Sequence, residues 1–136
     1  MHLLLPAELR SARTAARAAI DFDAAEGERL AIALTEIVTN IVRHGWRGSA
    51  TDRIQLELTR DDEQALTATL RYPGLPFDWR LPARTASAMI APLDLKGGLG
   101  LLVIHSFADD VLATSDGATQ EVTIVRRLRT ALPKAA

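Results

Sequence analysis

The chain contains no cysteine. That excludes a disulfide framework, a thiolate nucleophile and any metal site built on sulfur, and it suits a cytoplasmic protein. Neither sign of charge is in excess: 16 basic and 17 acidic residues leave a formal net charge of −1. So balanced a surface offers nucleic acid no electrostatic footprint, and no direct nucleic-acid partner is expected. Long hydrophobic runs are also missing. None approaches the ~20 apolar residues of a membrane span. The start, MHLLLPAELRSA, has an apolar stretch too short for a signal peptide and no basic region before it. No membrane association is expected, and there are no internal repeats.

What is present is core-forming material. Of 136 residues, 48% are apolar, enough to bury one core in one domain. We expect that domain to span residues 1–131, with LPKAA at 132–136 as a frayed tail. His2 to Leu5 reads as a short first strand. Pro6 stands where a helix can begin, and apolar residues at helical spacing predict a helix at about 7–20. Asp23 can cap the next helix, which the spacing of Leu30, Leu34, Ile37, Val38 and Ile41 extends over about 24–44, ending near Gly45. Residues 53–60 and 64–72 alternate apolar and polar, the pattern of a hairpin with one wet face.

From Pro73 to Lys96 the periodicity stops. Five punctuating prolines and glycines (Pro73, Gly74, Pro76, Pro82, Pro92) make this longer than an ordinary connection and point to a functional loop. A helix follows at 98–107, then strands at 111–115 and 121–128 around Ser115-Asp116-Gly117. Helices alternating with antiparallel hairpins predict an α+β fold. It should be a two-layer α/β sandwich with a mixed, mostly antiparallel sheet and helices on one face.

Three stretches could carry chemistry. Glu36, Asn40 and His44 recur every four residues and form one polar stripe beside an apolar face. Such a stripe can line a pocket, and it can equally be a solvated face with His44 favouring the helix C-terminus. The run Gly97-Gly98-Leu99-Gly100 opens a helix. Helix N-termini offer free N–H groups and a positive dipole end, and glycines let the backbone approach an anion closely. Lys96 just before it could add a charge to a phosphate. In LRYPGLPFDW, Gly74 sits at the edge of a strand, where something can approach closely.

Taken in order, ALTEIVTNIVRHG, LRYPGLPFD and GGLGL resemble the boxes of the ATPase fold shared by histidine kinases and gyrase. More closely, they resemble the small anti-sigma-factor serine kinases of bacteria, a likeness that extends to the closing EVTIVRRL and covers nearly the whole chain. The resemblance implies that Glu36 is the catalytic glutamate and Asn40 the magnesium ligand. It further implies that His44, Tyr72, Gly74, Phe77, Lys96, Gly97, Gly98, Leu99 and Gly100 stand at the nucleotide, and that loop 73–96 is an ATP lid. ATP and Mg2+ are the cofactors so implied. The partner is a protein of the sigma-factor or anti-sigma-factor-antagonist type, and a homodimer is implied, for which the apolar segment His2 to Leu5 offers an edge.

One position departs from the pattern. Tyr72 stands where the family has an aspartate that accepts a hydrogen bond from the adenine amino group. Loss of a charged hydrogen bond, about 1.5–3 kcal/mol, weakens binding about ten- to a hundredfold. A ring that fills the adenine slot abolishes it. Two functions therefore stand side by side. One is an ATP-dependent serine/threonine kinase that phosphorylates or sequesters a partner. The other is a nucleotide-independent protein-binding module of the same fold.

Overall fold

The computed structural model describes residues 1–61, 65–81 and 98–128. The tail at 132–136 and most of the loop 73–96 lie outside the described residues. Strands β1 (His2–Leu5), β2 (Ile54–Asp61), β3 (Ala65–Pro73), β4 (Asp110–Ser115) and β5 (Thr119–Arg127) form one sheet. Its spatial order is β1-β2-β3-β5-β4, and every pairing is antiparallel. The mostly antiparallel sheet expected from sequence is antiparallel throughout these residues. Helices α1 (Ser11–Phe22), α2 (Gly27–Asn40) and α3 (Gly98–Phe107) make the second layer.

The alternation of the strands decides which face is covered. Ile54, Leu56 and Leu58 of β2, Leu66, Ala68 and Leu70 of β3, and Val122 and Ile124 of β5 are all buried. They meet Leu30, Leu34, Ile37 and Ile41 from α2, the alanines Ala12, Ala15 and Ala19 from α1, and Leu101 and Ile104 from α3. Each large aliphatic side chain so buried contributes about 1.5–3 kcal/mol. The opposite face stays polar: Arg71 pairs with Glu121, and the Thr69 and Thr123 hydroxyls lie 3.1 Å apart.

Two helix boundaries move from the expected ones, for local reasons. Pro6 does not open α1. Its carbonyl accepts from the Glu8 N–H and from the buried Ser11 hydroxyl at 2.6 Å, which holds residues 6–10 in a turn and delays the helix to Ser11. Asp23 does cap the entry to α2: Oδ1 accepts the N–H groups of Ala25 and Glu26 at 2.9 Å. Its other oxygen pairs with Arg60 of β2 at 2.5 Å. The long helix is α-helical only to Asn40, and Ile41–Gly45 form a π-helical turn. The C-terminal end of α3 is anchored by Arg126, which is almost fully buried. Its Nε donates to Glu26 Oε2 and its second guanidinium nitrogen to the Phe107 carbonyl.

Candidate functional site

Helical spacing sets Glu36 and Asn40 one turn apart on the same face of α2. The start of α3 lies against that face. A Cβ added to Gly100 would fall 3.1 Å from Glu36 Oε2, and 3.8 and 3.9 Å from the Asn40 amide nitrogen and oxygen. Glycine is what permits so close an approach. Gly98 begins α3, and Leu99, half-buried, follows in its first turn. Here the unpaired N–H groups and the positive dipole end of the helix gather. Lys96 and Gly97 lie outside the described residues.

Asn40 is only 6% exposed, and among the described residues its Nδ2 has no hydrogen-bond partner. A buried, unpartnered amide costs about 1–3 kcal/mol, and here it sits beside Glu36 and a helix N-terminus. Among the described residues no group of three or more His, Asp or Glu side chains could hold a metal. A cation at this place would depend on the Asn40 side chain together with oxygens of a ligand and of water, the habit of magnesium. The metal and phosphate end of a nucleotide–magnesium complex therefore fits these residues.

His44 stands in the π-turn that follows Asn40. The turn is marked by the Trp46 N–H bonding to the Ile41 carbonyl. His44 is exposed, with its ring stacked 6.4 Å from that of Phe77. Gly74 meets the π-turn. A Cβ on it would lie 2.2 Å from the Gly45 carbonyl oxygen, because the end of β3 is knitted to the π-turn. The Leu75 N–H donates to that same oxygen, the Arg47 N–H donates to Pro73 O, and Gln120 Nε2 donates to Gly74 O at 3.0 Å.

Tyr72, on the inward face of β3, is 1% exposed. Its ring packs between Gly45 and Gly74, and among the described residues its hydroxyl has no hydrogen-bond partner. Burial pushes the phenol up to about 12. The neighbouring Trp79 indole offsets part of that shift without reaching hydrogen-bonding geometry. Where the resemblance calls for an adenine-binding carboxylate, the structure has a buried ring.

Sequence reasoning missed three contributors. Trp79 is buried, and its ring packs tilted against Phe77 with centroids 4.5 Å apart. His105 reaches the Trp79 carbonyl at 2.7 Å, and Arg126 anchors α3. A tryptophan in an aperiodic, proline-marked segment was the one available signal. The two others are single polar residues in otherwise regular elements.

The family model described as histidine kinase-like ATPase domain matches residues 4–126. The chain belongs to the histidine kinase-like ATPase domain family. Within that family its likeness is to the anti-sigma kinases. The serine-protein kinase RsbW of Listeria monocytogenes is 31% identical over 105 residues, 71% of this chain and 62% of the relative. The chain thus aligns with under two thirds of that relative's length. A crystal structure of the RsbU and RsbW domains of a Mycobacterium tuberculosis protein matches with a TM-score of 0.66 at 16% identity, covering 93% of this chain and 31% of that one. The histidine kinase domain of a blue-light activated histidine kinase from Erythrobacter litoralis matches with a TM-score of 0.52 at 17% identity, over 88% of this chain and 60% of that one. These structural likenesses establish the ATPase-domain fold. Among the described residues, no helix is long and apolar enough to cross a membrane.

Proposed function

We propose that this chain is a bacterial signalling regulator of the anti-sigma kinase type, which binds ATP with magnesium between α2 and the start of α3 and phosphorylates a partner protein on serine or threonine. The observation that carries the reading is the convergence of Glu36 Oε2 and the Asn40 amide on Gly100, with Asn40 Nδ2 buried and unpartnered. When bound, ATP would supply the terminal phosphoryl group and leave as ADP, and magnesium would neutralise the charge. Glu36, half-buried at the mouth of the cluster, takes the proton of the partner's hydroxyl as general base. Asn40 holds the cation, and the backbone N–H groups of the first turn of α3 hold phosphate oxygens. Such a site accelerates transfer through positioning and electrostatics. The partner is of the sigma-factor or antagonist type, which puts the reaction in the cytoplasm. Pairing through the edge strand β1 would make the protein a homodimer, which light scattering at high concentration would test.

A second reading has its own support. The fully buried Tyr72 ring favours a module that regulates its partner by contact alone. Calorimetry with ATP and magnesium, followed by transfer of radiolabel from ATP to the partner, separates the two. The kinase reading expects binding, and label that disappears with Glu36→Ala. No binding at millimolar nucleotide leaves the contact-only module.

A further inference from the structure

Tyr72 and Trp79 together suggest how the kinase reading and the buried Tyr72 ring are compatible. The segment 75–80 leaves β3 and passes between the π-turn and α3. At its root the Leu75 N–H donates to Gly45 O. At its far end the Trp79 carbonyl accepts from His105 Nε2 at 2.7 Å; a carbonyl cannot donate, so Nε2 carries the proton. Between these points it has no regular structure. Its charged residues satisfy each other, since Arg80 grips both oxygens of Asp78. What it buries is the Trp79 indole, 4% exposed, beside the unpartnered Tyr72 hydroxyl.

The position of this indole is informative. Gly45, which touches the Tyr72 ring, follows Asn40 by the single π-turn. His105 follows Gly100 on α3 by about 7.5 Å of helix rise. The Trp79 latch therefore lies further along the same helix as Gly100, and the indole lies beside Tyr72, the position at which the resemblance puts the adenine-binding carboxylate. On the kinase reading a flat heteroaromatic ring belongs beside Tyr72, attached to phosphates bound at Gly100. The chain's own flat heteroaromatic ring is there instead. A cavity of about 160 Å³ borders Phe77 and Trp79 on the side of β4 and β5, lined also by Thr114 and Gln120, and it gives the segment room to shift.

We propose that Trp79 is a built-in occupant of the base subsite: the strap 75–80, latched by His105, holds the free protein autoinhibited, and a purine base enters by displacing the indole from Tyr72. The inference rests on the kinase reading and adds to it what the site must release before nucleotide binds. The orphaned Tyr72 hydroxyl, donor and acceptor at once, then gains the polar edge of the base as its partner. An occupant of this kind lowers apparent affinity by the fraction of molecules in which the slot is open.

The protein has two tryptophans, so Trp46→Phe leaves Trp79 as the sole indole reporter. Addition of ATP with magnesium is expected to shift its emission to the red as the indole leaves the core. Trp79→Ala is expected to tighten ATP–magnesium binding about tenfold or more, and His105→Ala to tighten it by less. Neither change should alter affinity for magnesium pyrophosphate, which has no base. His105→Ala and the emission measurement keep the test intact if Trp79→Ala fails to fold. If ATP binds with the emission unmoved and the affinities of both variants equal to the parent's, the plug is overturned and the kinase reading survives. If neither parent nor variants bind ATP or pyrophosphate, both fall.

Discussion

Gly100 of α3 faces Glu36 of α2 so closely that a methyl group on the glycine would lie 3.1 Å from the carboxylate oxygen Oε2. The neighbour is the end of a flexible side chain, so it can yield by a few tenths of an ångström. Alanine is also favoured over glycine within a helix by about 1 kcal/mol. Gly100→Ala should therefore melt at the same temperature as the parent or higher. Phosphoryl transfer should fall about ten- to a hundredfold, because the carboxylate is pushed off its position. Thermal melts beside single-turnover transfer would show the split, and equal loss of both would contradict it.

Asn40 carries a similar division between stability and function. Its buried Nδ2 is unpartnered, so an apolar residue of similar size relieves a desolvation cost. Asn40→Leu should raise the unfolding free energy by about 1 kcal/mol and remove the magnesium dependence of nucleotide binding. Denaturant titration and calorimetry with and without magnesium measure the two effects.

Tyr72 predicts an alkaline loss of stability. Its phenol is pushed up to about 12 by burial, while in the unfolded chain it titrates near 10. Below pH 10 both states hold the proton and stability is unaffected. Between pH 10 and 12 the unfolded state releases it first, so stability falls with rising pH, by about 3 kcal/mol in all. Tyr72→Phe should flatten this part of the profile. Tyr72 is the chain's single tyrosine, so phenolate absorbance reports it alone.

Gly74→Ala meets backbone rather than a side-chain tip. Its Cβ would lie 2.2 Å from the Gly45 carbonyl oxygen, and neither chain can step aside without losing the Leu75–Gly45 hydrogen bond. We expect a loss of about 2–3 kcal/mol by chemical denaturation. An unchanged midpoint would mean that β3 and the π-turn are not tied together at this point.

The sequence by itself determined the elements and the covered face. Alternation in β2 and β3 and helical spacing in α2 are one-dimensional patterns, and burial obeys them because side chains repeat every two or 3.6 residues. The boundary of β1 was equally legible, since Pro6 ends it. Glu36 and Asn40 were identifiable as a pair for the same reason, being one helical turn apart.

What only the tertiary structure decided is what each of those residues faces. Gly100 meets Glu36 and Asn40 across 60 residues or more of chain, a contact that no local pattern encodes. Ile41–Gly45 wind as a π-turn, a change of pitch for which the regular apolar spacing gave no sign. The role of Tyr72 depended on whether its ring was free or enclosed. Gly45 approaching from one element, Gly74 from another and Trp79 from an aperiodic segment enclose it. Burial is a property of the assembled neighbours, so it exists only once α2, β3 and α3 have packed.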